Sequence, residues 1–118
     1  MKKIILYSYS KCSSCRKALK WLDSKGFNYE LKDIVKEPPL AEFLDIALQE
    51  YSKDKKRLFN TRGKSFKLID FDIETSSNAE IKKLFLSDGK LIKRPFLIYG
   101  GKKIILGFDE IEYTNNFI

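Results

Sequence analysis

The sequence predicts a mixed α/β fold: a four-stranded sheet flanked by helices and interrupted by a mainly helical insert. Three observations predict it. An apolar run, a helical repeat and a second strand pattern follow one another at the start of the chain, as in a βαβ unit. A proline break at Pro38-Pro39 then opens a stretch dominated by helical signals. Finally, "PFLIYGGKKIILGF" joins two apolar runs at Gly100-Gly101, a hairpin signature, and leads into one more helix.

Each element has a local reason. Lys3 to Ser8 is a short, nearly continuous apolar run, which suits a buried strand. From Cys15 the period changes. Cys15, Ala18, Leu19 and Leu22 recur at helical spacing, and Gly26 is a stop signal. "NYELKDI" then alternates around Tyr29 and Leu31, a second strand. After the prolines, Leu40, Phe43, Leu44, Ala47 and Tyr51 mark an amphipathic helix, and Lys55 to Asn60 a short helical piece. "TSSNAEIKKLFL" offers a capping box, Ser77 to Glu80, ahead of Ile81, Leu84 and Phe85. Asp109 caps the last helix, "DEIEYTNNF". With the insert set aside, βαβ followed by ββα is the thioredoxin-like (glutaredoxin-like) arrangement. The expected organisation is one domain over 1–118, with a core of about 1–37 and 90–118 and an insert of about 38–89.

Composition narrows the function. A chain of 118 residues with 43% hydrophobic and 33% charged residues reads as a globular domain. No apolar run approaches a membrane span. The start "MKKIILYSYSKC" has only four consecutive apolar residues, Ile4 to Tyr7, too few for a signal peptide. The cytoplasm is the expected location. The net charge of +7 concentrates in "KDKKRLFNTRGKSFK" and around "KLIKRP", surfaces that attract anions or an acidic partner. No groove-entering motif or row of aromatics accompanies them, so nucleic-acid binding is not expected. A monomer is expected.

The only two cysteines are Cys12 and Cys15, and there is no histidine. A closed zinc site wants about four N or S ligands, so no metal is expected. A reducing compartment disfavours a structural disulfide. What remains is a thiol pair that cycles. Cys12 falls at the start of the first helix, where free N–H groups and the positive dipole end favour a thiolate. Lys11 and Arg16 add positive charge. Cys15, one helical turn on, turns toward the core and is placed to resolve a mixed disulfide. Tyr7 lies in the strand and is expected to pack; Tyr9 is left open between packing and substrate contact.

Arg94-Pro95 is the second informative pair. Proline at the head of a strand is tolerated where its missing N–H is not needed. In the thioredoxin-like arrangement this residue faces the cysteine loop and is a cis-proline. Arg94 would then aim a planar guanidinium at Cys12, able to hold an oxyanion or a carboxylate through paired hydrogen bonds.

Together, "YSKCSSCRKALKWL", "LFNTRGKSFKLID", "SDGKLIKRPFLI" and "ILGFDEIEY" resemble the arsenate reductase (ArsC) related family, which includes the Spx regulators and the small YffB-like reductases. The resemblance runs through essentially the whole chain. It implies a thioredoxin-like core with a helical insert, a reactive first cysteine, and a small thiol such as glutathione, or a thioredoxin- or glutaredoxin-type protein, as reductant, with no bound cofactor. Family arginines that hold the oxyanion map onto Arg94 and onto "FNTRG", where Asn60 and Arg62 stand. A third arginine, expected after the last strand, has no counterpart in "ILGFDE". That leaves a weaker cage for arsenate. The first reading is therefore a thiol reductase of this family, with Cys12 attacking, Cys15 resolving and Arg94 with Pro95 orienting the substrate. The second is a Spx-like redox-sensing transcriptional regulator that binds RNA polymerase; those proteins share the Cys-x-x-Cys but usually carry a longer basic tail. The third is arsenate reduction.

Overall fold

The computed structural model describes residues 2–118; Met1, the first residue of the expected core, lies outside the described residues. Strand β1 (Ile4–Ser8) leads into helix α1 (Ser13–Ser24) and strand β2 (Glu30–Asp33). Helices α2 (Ala41–Glu50), α3 (Lys64–Leu68) and α4 (Asn78–Ser87) follow, with 3-10 turns at Lys55–Leu58 and Gly89–Leu91. Strands β3 (Phe96–Tyr99) and β4 (Lys103–Leu106) and helix α5 (Glu110–Phe117) complete the chain. The sheet order is β2-β1-β3-β4. β2 runs parallel to β1, with Leu6 opposite Leu31. β3 is antiparallel to both neighbours, pairing Tyr7 with Phe96 and Leu97 with Ile105. The fold is the mixed, thioredoxin-like α/β arrangement that the element order predicts.

Alternation along the strands divides the core in two. Ile4, Leu6, Leu97 and Ile105 face α1 and α5, where they meet Ala18, Trp21, Leu22 and Tyr113. Ile5, Tyr7, Phe96, Ile98 and Leu106 face the opposite way and are covered by Phe43, Leu44, Ile81 and Phe85 from α2 and α4. The insert is thus the second helical layer. A continuous apolar strand such as β1 needs both layers, since each fully buried Leu or Ile contributes roughly 1.5–3 kcal/mol only if its own face is covered.

Local signals account for the boundaries. The Ser77 hydroxyl accepts from the Glu80 N–H at 3.1 Å, and the Glu80 carboxylate accepts from the Ser77 N–H at 3.0 Å. This reciprocal cap starts α4 and holds the Glu80 carboxyl below its ordinary range. Gly100 and Gly101 both take positive φ, 63° and 73°, in the β3–β4 turn. Asp109 accepts from the Ile111 and Glu112 N–H groups at the start of α5.

Three details depart from the expected pattern. Leu31 is 54% exposed, because β2 is an edge strand and α1 spends its apolar face on β1, β3 and β4. Trp21, outside the expected helical stripe, is 6% exposed, whereas Leu19 is only partly buried. The indole stacks on Phe27 and meets Tyr113 edge-on and carries the one buried side-chain polar atom without a partner among the described residues. The helix α3 also lies within a stretch whose short elements were not separately expected.

No helix among the described residues is long and apolar enough to cross a membrane.

Candidate active site

β1 delivers the chain to the cysteine loop. The Cys12 N–H donates to the Tyr9 carbonyl at 3.1 Å, closing a turn after the strand. Cys12 then occupies the N-cap of α1 in extended conformation, and its sulfur accepts from the Cys15 N–H at 3.3 Å. The first turn of α1 carries no acidic side chain, so nothing there offsets the positive dipole end. Both cysteines are free. Cys12 is half-buried and Cys15 is completely buried. Burial pushes the Cys15 thiol up to about 12, and its interaction with Cys12 adds to this; hydrogen bonding from the Tyr9 backbone and the Ser8 side chain opposes the shift. One thiol is therefore accessible and supported by helix N–H groups. The other is held neutral, one turn deeper.

The Arg94–Pro95 peptide is cis and leads into β3. The Arg94 guanidinium lies over the Tyr9 ring, 4.8 Å from its centroid. Tyr9, the residue whose role the sequence left open, thus connects the arginine to the cysteine loop. Tyr7 is buried and packs edge-on against Phe96.

Arg94 and Tyr9 line a cleft of about 170 Å³ together with Asn60, Lys64 and Lys90. The segments meet through a short antiparallel bridge. The Asn60 N–H donates to the Leu91 carbonyl at 2.8 Å, and the Lys93 N–H donates to the Leu58 carbonyl at 2.8 Å, on either side of Phe59 and Ile92. The Asn60 amide also reaches the Lys90 carbonyl at 3.4 Å. The cleft gathers three cationic side chains, none of them in an ion pair among the described residues. Such a site attracts a small anion or a substrate carboxylate.

Of the residues singled out from the sequence, Asn60 and Arg94 line this cleft, with Pro95 adjoining. Arg62 does not: it is exposed and absent from the lining. Lys11 is exposed, and Arg16 uses Nη1 to donate to the Ser10 carbonyl at 3.0 Å, bracing the cysteine loop rather than facing the cleft. Lys64 and Lys90 are the additions. In the sequence they looked like solvated lysines of a basic stretch. Their signal was position: one lies four residues after Asn60, the other four before Arg94. Among the described residues, no group of His, Cys, Asp or Glu side chains is arranged to hold a metal ion.

The ArsC family model matches residues 7–116. The uncharacterized YusI protein of Bacillus subtilis is 35% identical over 116 residues, covering 97% of this chain and 98% of that protein. The global transcriptional regulator Spx of Lactiplantibacillus plantarum is 29% identical, over 92% of this chain and 82% of the regulator. A crystal structure of a possible arsenate reductase from Streptococcus mutans superposes with a TM-score of 0.88 at 34% identity, over 99% of this chain and 100% of that one. The chain belongs to the ArsC family.

Proposed function

We propose that this ArsC-family chain is a cytoplasmic thiol–disulfide reductase in which Cys12 attacks and Cys15 resolves. The observation that carries the reading is the split between the two thiols: Cys12 half-buried at the helix start, Cys15 fully buried with its N–H on the Cys12 sulfur.

The chemistry follows from that split. The Cys12 thiolate attacks one sulfur of a substrate disulfide. That S–S bond breaks, a mixed disulfide forms on Cys12, and the first substrate thiolate leaves to take a proton from solvent. Cys15 then loses its proton and attacks the Cys12 sulfur, expelling the second substrate thiolate. The substrate gains two electrons, and the protein is left with a Cys12–Cys15 disulfide. A small thiol such as glutathione, or a thioredoxin- or glutaredoxin-type protein, returns the pair to two thiols. Arg94, with Lys64 and Lys90, holds an anionic group of the substrate beside the loop.

A turnover assay tests this, with glutathione, its NADPH-coupled recycling enzyme and a small disulfide, run with and without arsenate. Multiple turnovers that disappear in Cys12→Ser are the expected result. Consumption of reductant only when arsenate is present would instead identify an arsenate reductase.

The likeness to Spx and the net charge of +7 favour one second reading, a redox-sensing regulator that binds RNA polymerase. It requires a single oxidation to the Cys12–Cys15 disulfide, no turnover, and retention of RNA polymerase in a pull-down.

A further inference from the structure

β1 carries a serine where its pattern asks for an apolar side chain. Alternation turns Ile4, Leu6 and Ser8 to one side of the sheet, toward α1. Ile4 and Leu6 enter the apolar core there, and Ser8 is buried with them, only 7% exposed. Aromatic and cysteine side chains aside, it is the only buried polar side chain among the described residues. A buried hydroxyl costs stability unless it is hydrogen-bonded. The partner of this one is the Cys15 sulfur.

Three features fix this contact. First, the Ser8 backbone is held by the sheet: it lies opposite Asp33 in the β1–β2 ladder, and its carbonyl accepts from the Ile34 N–H at 2.9 Å. Second, Cys15 is completely buried on the α1 face that Ser8 meets, and the Tyr9 N–H gives its sulfur a second donor. Third, the other polar groups nearby are occupied. The Asp33 carboxylate accepts from the Val35 and Lys36 N–H groups at 2.9 and 3.2 Å. Tyr113, which faces Cys15 from α5, donates its hydroxyl to the Gly107 carbonyl at 3.3 Å. Cys12, on the same helical turn, accepts from the Cys15 N–H. Ser8 is the side chain left to serve the Cys15 sulfur, and donors fixed on a buried sulfur favour its charged form.

We propose that Ser8 is a catalytic residue of the resolving step, its hydroxyl donating to the Cys15 sulfur as that sulfur becomes a thiolate and attacks Cys12. The proposal rests on the reading in which Cys12 attacks and Cys15 resolves. The Cys15 thiol gives its proton to solvent, and the Ser8 hydroxyl and Tyr9 N–H hold the charge left behind. The thiolate then attacks the Cys12 sulfur of the mixed disulfide. The Cys12–Cys15 bond forms, the bond from Cys12 to the substrate sulfur breaks, and the substrate thiolate leaves with that electron pair. The first step, attack by Cys12 on the substrate, makes no use of Ser8.

The two steps separate in one trace with dithiobis(nitrobenzoate), a chromophoric disulfide. Attack by Cys12 releases the first aryl thiolate, and resolution by Cys15 releases the second. Ser8→Ala should leave the first phase unchanged and slow the second about tenfold. Ser8→Thr, which keeps the hydroxyl, should recover the second phase. A loss of packing alone is separated by a direct titration of Cys15 in Cys12→Ser, followed through its Cβ resonance. Ionisation there should begin about one pH unit later once Ser8→Ala is added. An unchanged second phase, an equal loss in both phases, or a slower second phase with the Cys15 titration unmoved would each overturn the role of Ser8 and leave Cys15 as the resolving thiol. If the wild type releases the first aryl thiolate and never the second, the resolving role of Cys15 itself falls, and that of Ser8 with it.

Discussion

The Cys15 backbone N–H donates to the Cys12 sulfur at 3.3 Å. One side chain thus caps the helix and presents the accessible thiol, while the residue that donates to it carries the buried one. Structure and chemistry share the same atom, and they can be separated by substitution.

Cys12→Ser keeps an N-cap acceptor and removes the thiol. We expect it to retain wild-type stability or better while losing all disulfide exchange. Cys12→Ala loses both, at a cost of about 1 kcal/mol relative to Cys12→Ser. Urea melts of the two variants check this; equal midpoints would remove the sulfur's role as a cap.

Cys15 should stay unreactive toward iodoacetamide at neutral pH while Cys12 is labelled. Its thiol is pushed up to about 12 chiefly by burial, so its thiolate fraction grows about tenfold per pH unit below that value. In the mixed disulfide that Cys12 forms with an aromatic disulfide reagent, release of the second chromophoric thiolate should accelerate to match between pH 7 and 10. A plateau below pH 9 would contradict it. The sign for stability follows. The folded value lies above the ordinary 9.0, so the contribution is complete below pH 9 and is lost as pH rises toward 12. The alkaline loss should be smaller in Cys15→Ala.

Arg94→Ala should slow exchange with anionic substrates by about tenfold to a hundredfold. Arg94→Lys should recover little of this, since an ammonium has neither the planar stack on Tyr9 nor the paired donors. Tyr9→Leu should mimic part of the loss. The comparison is made as kcat/KM for a carboxylate-bearing against a neutral disulfide. Equal losses on both would assign Arg94 to the fold rather than to the anion.

Gly89 joins the insert to the sheet. A Cβ there would collide with the Ile34 carbonyl, which is main chain and cannot swing aside. Gly89→Ala should cost about 3 kcal/mol or leave the chain unfolded. Gly26→Ala is the contrast, because a Cβ at Gly26 meets nothing within 4 Å and the strain there is only that of φ 74°. A Gly89→Ala midpoint as high as that of Gly26→Ala would sink the account.

Much of this was legible in the sequence because the signals were local. The apolar run of β1, the Ser77 to Glu80 capping box, the Gly100-Gly101 turn and the Asp109 cap each depend on residues within a few positions of one another. Cys12 at a helix start was legible for the same reason: the strand ends and the helical period begins on either side of it. Leu31 misled because alternation reports a strand but not whether a helix covers that face. "FNTRG" offered both Asn60 and Arg62, and a short motif does not say which of two residues two positions apart faces Arg94; Asn60 lines that cleft.

By itself, the sequence determined the order of strands and helices, the exposed-then-buried placement of the two thiols, and a family resemblance that the whole chain bears out. The first two follow from backbone periodicity and helix-end electrostatics, which act over one or two turns; the resemblance rests on four motifs met in the same order along the chain. The tertiary structure alone decided which distant side chains meet. The Phe59–Ile92 bridge and the β1–β3 pairing bring Lys64, Lys90, Arg94 and Tyr9 to one cleft. Sheet order and the packing of the insert fix those meetings. They are properties of the whole core, and no short window of residues encodes them.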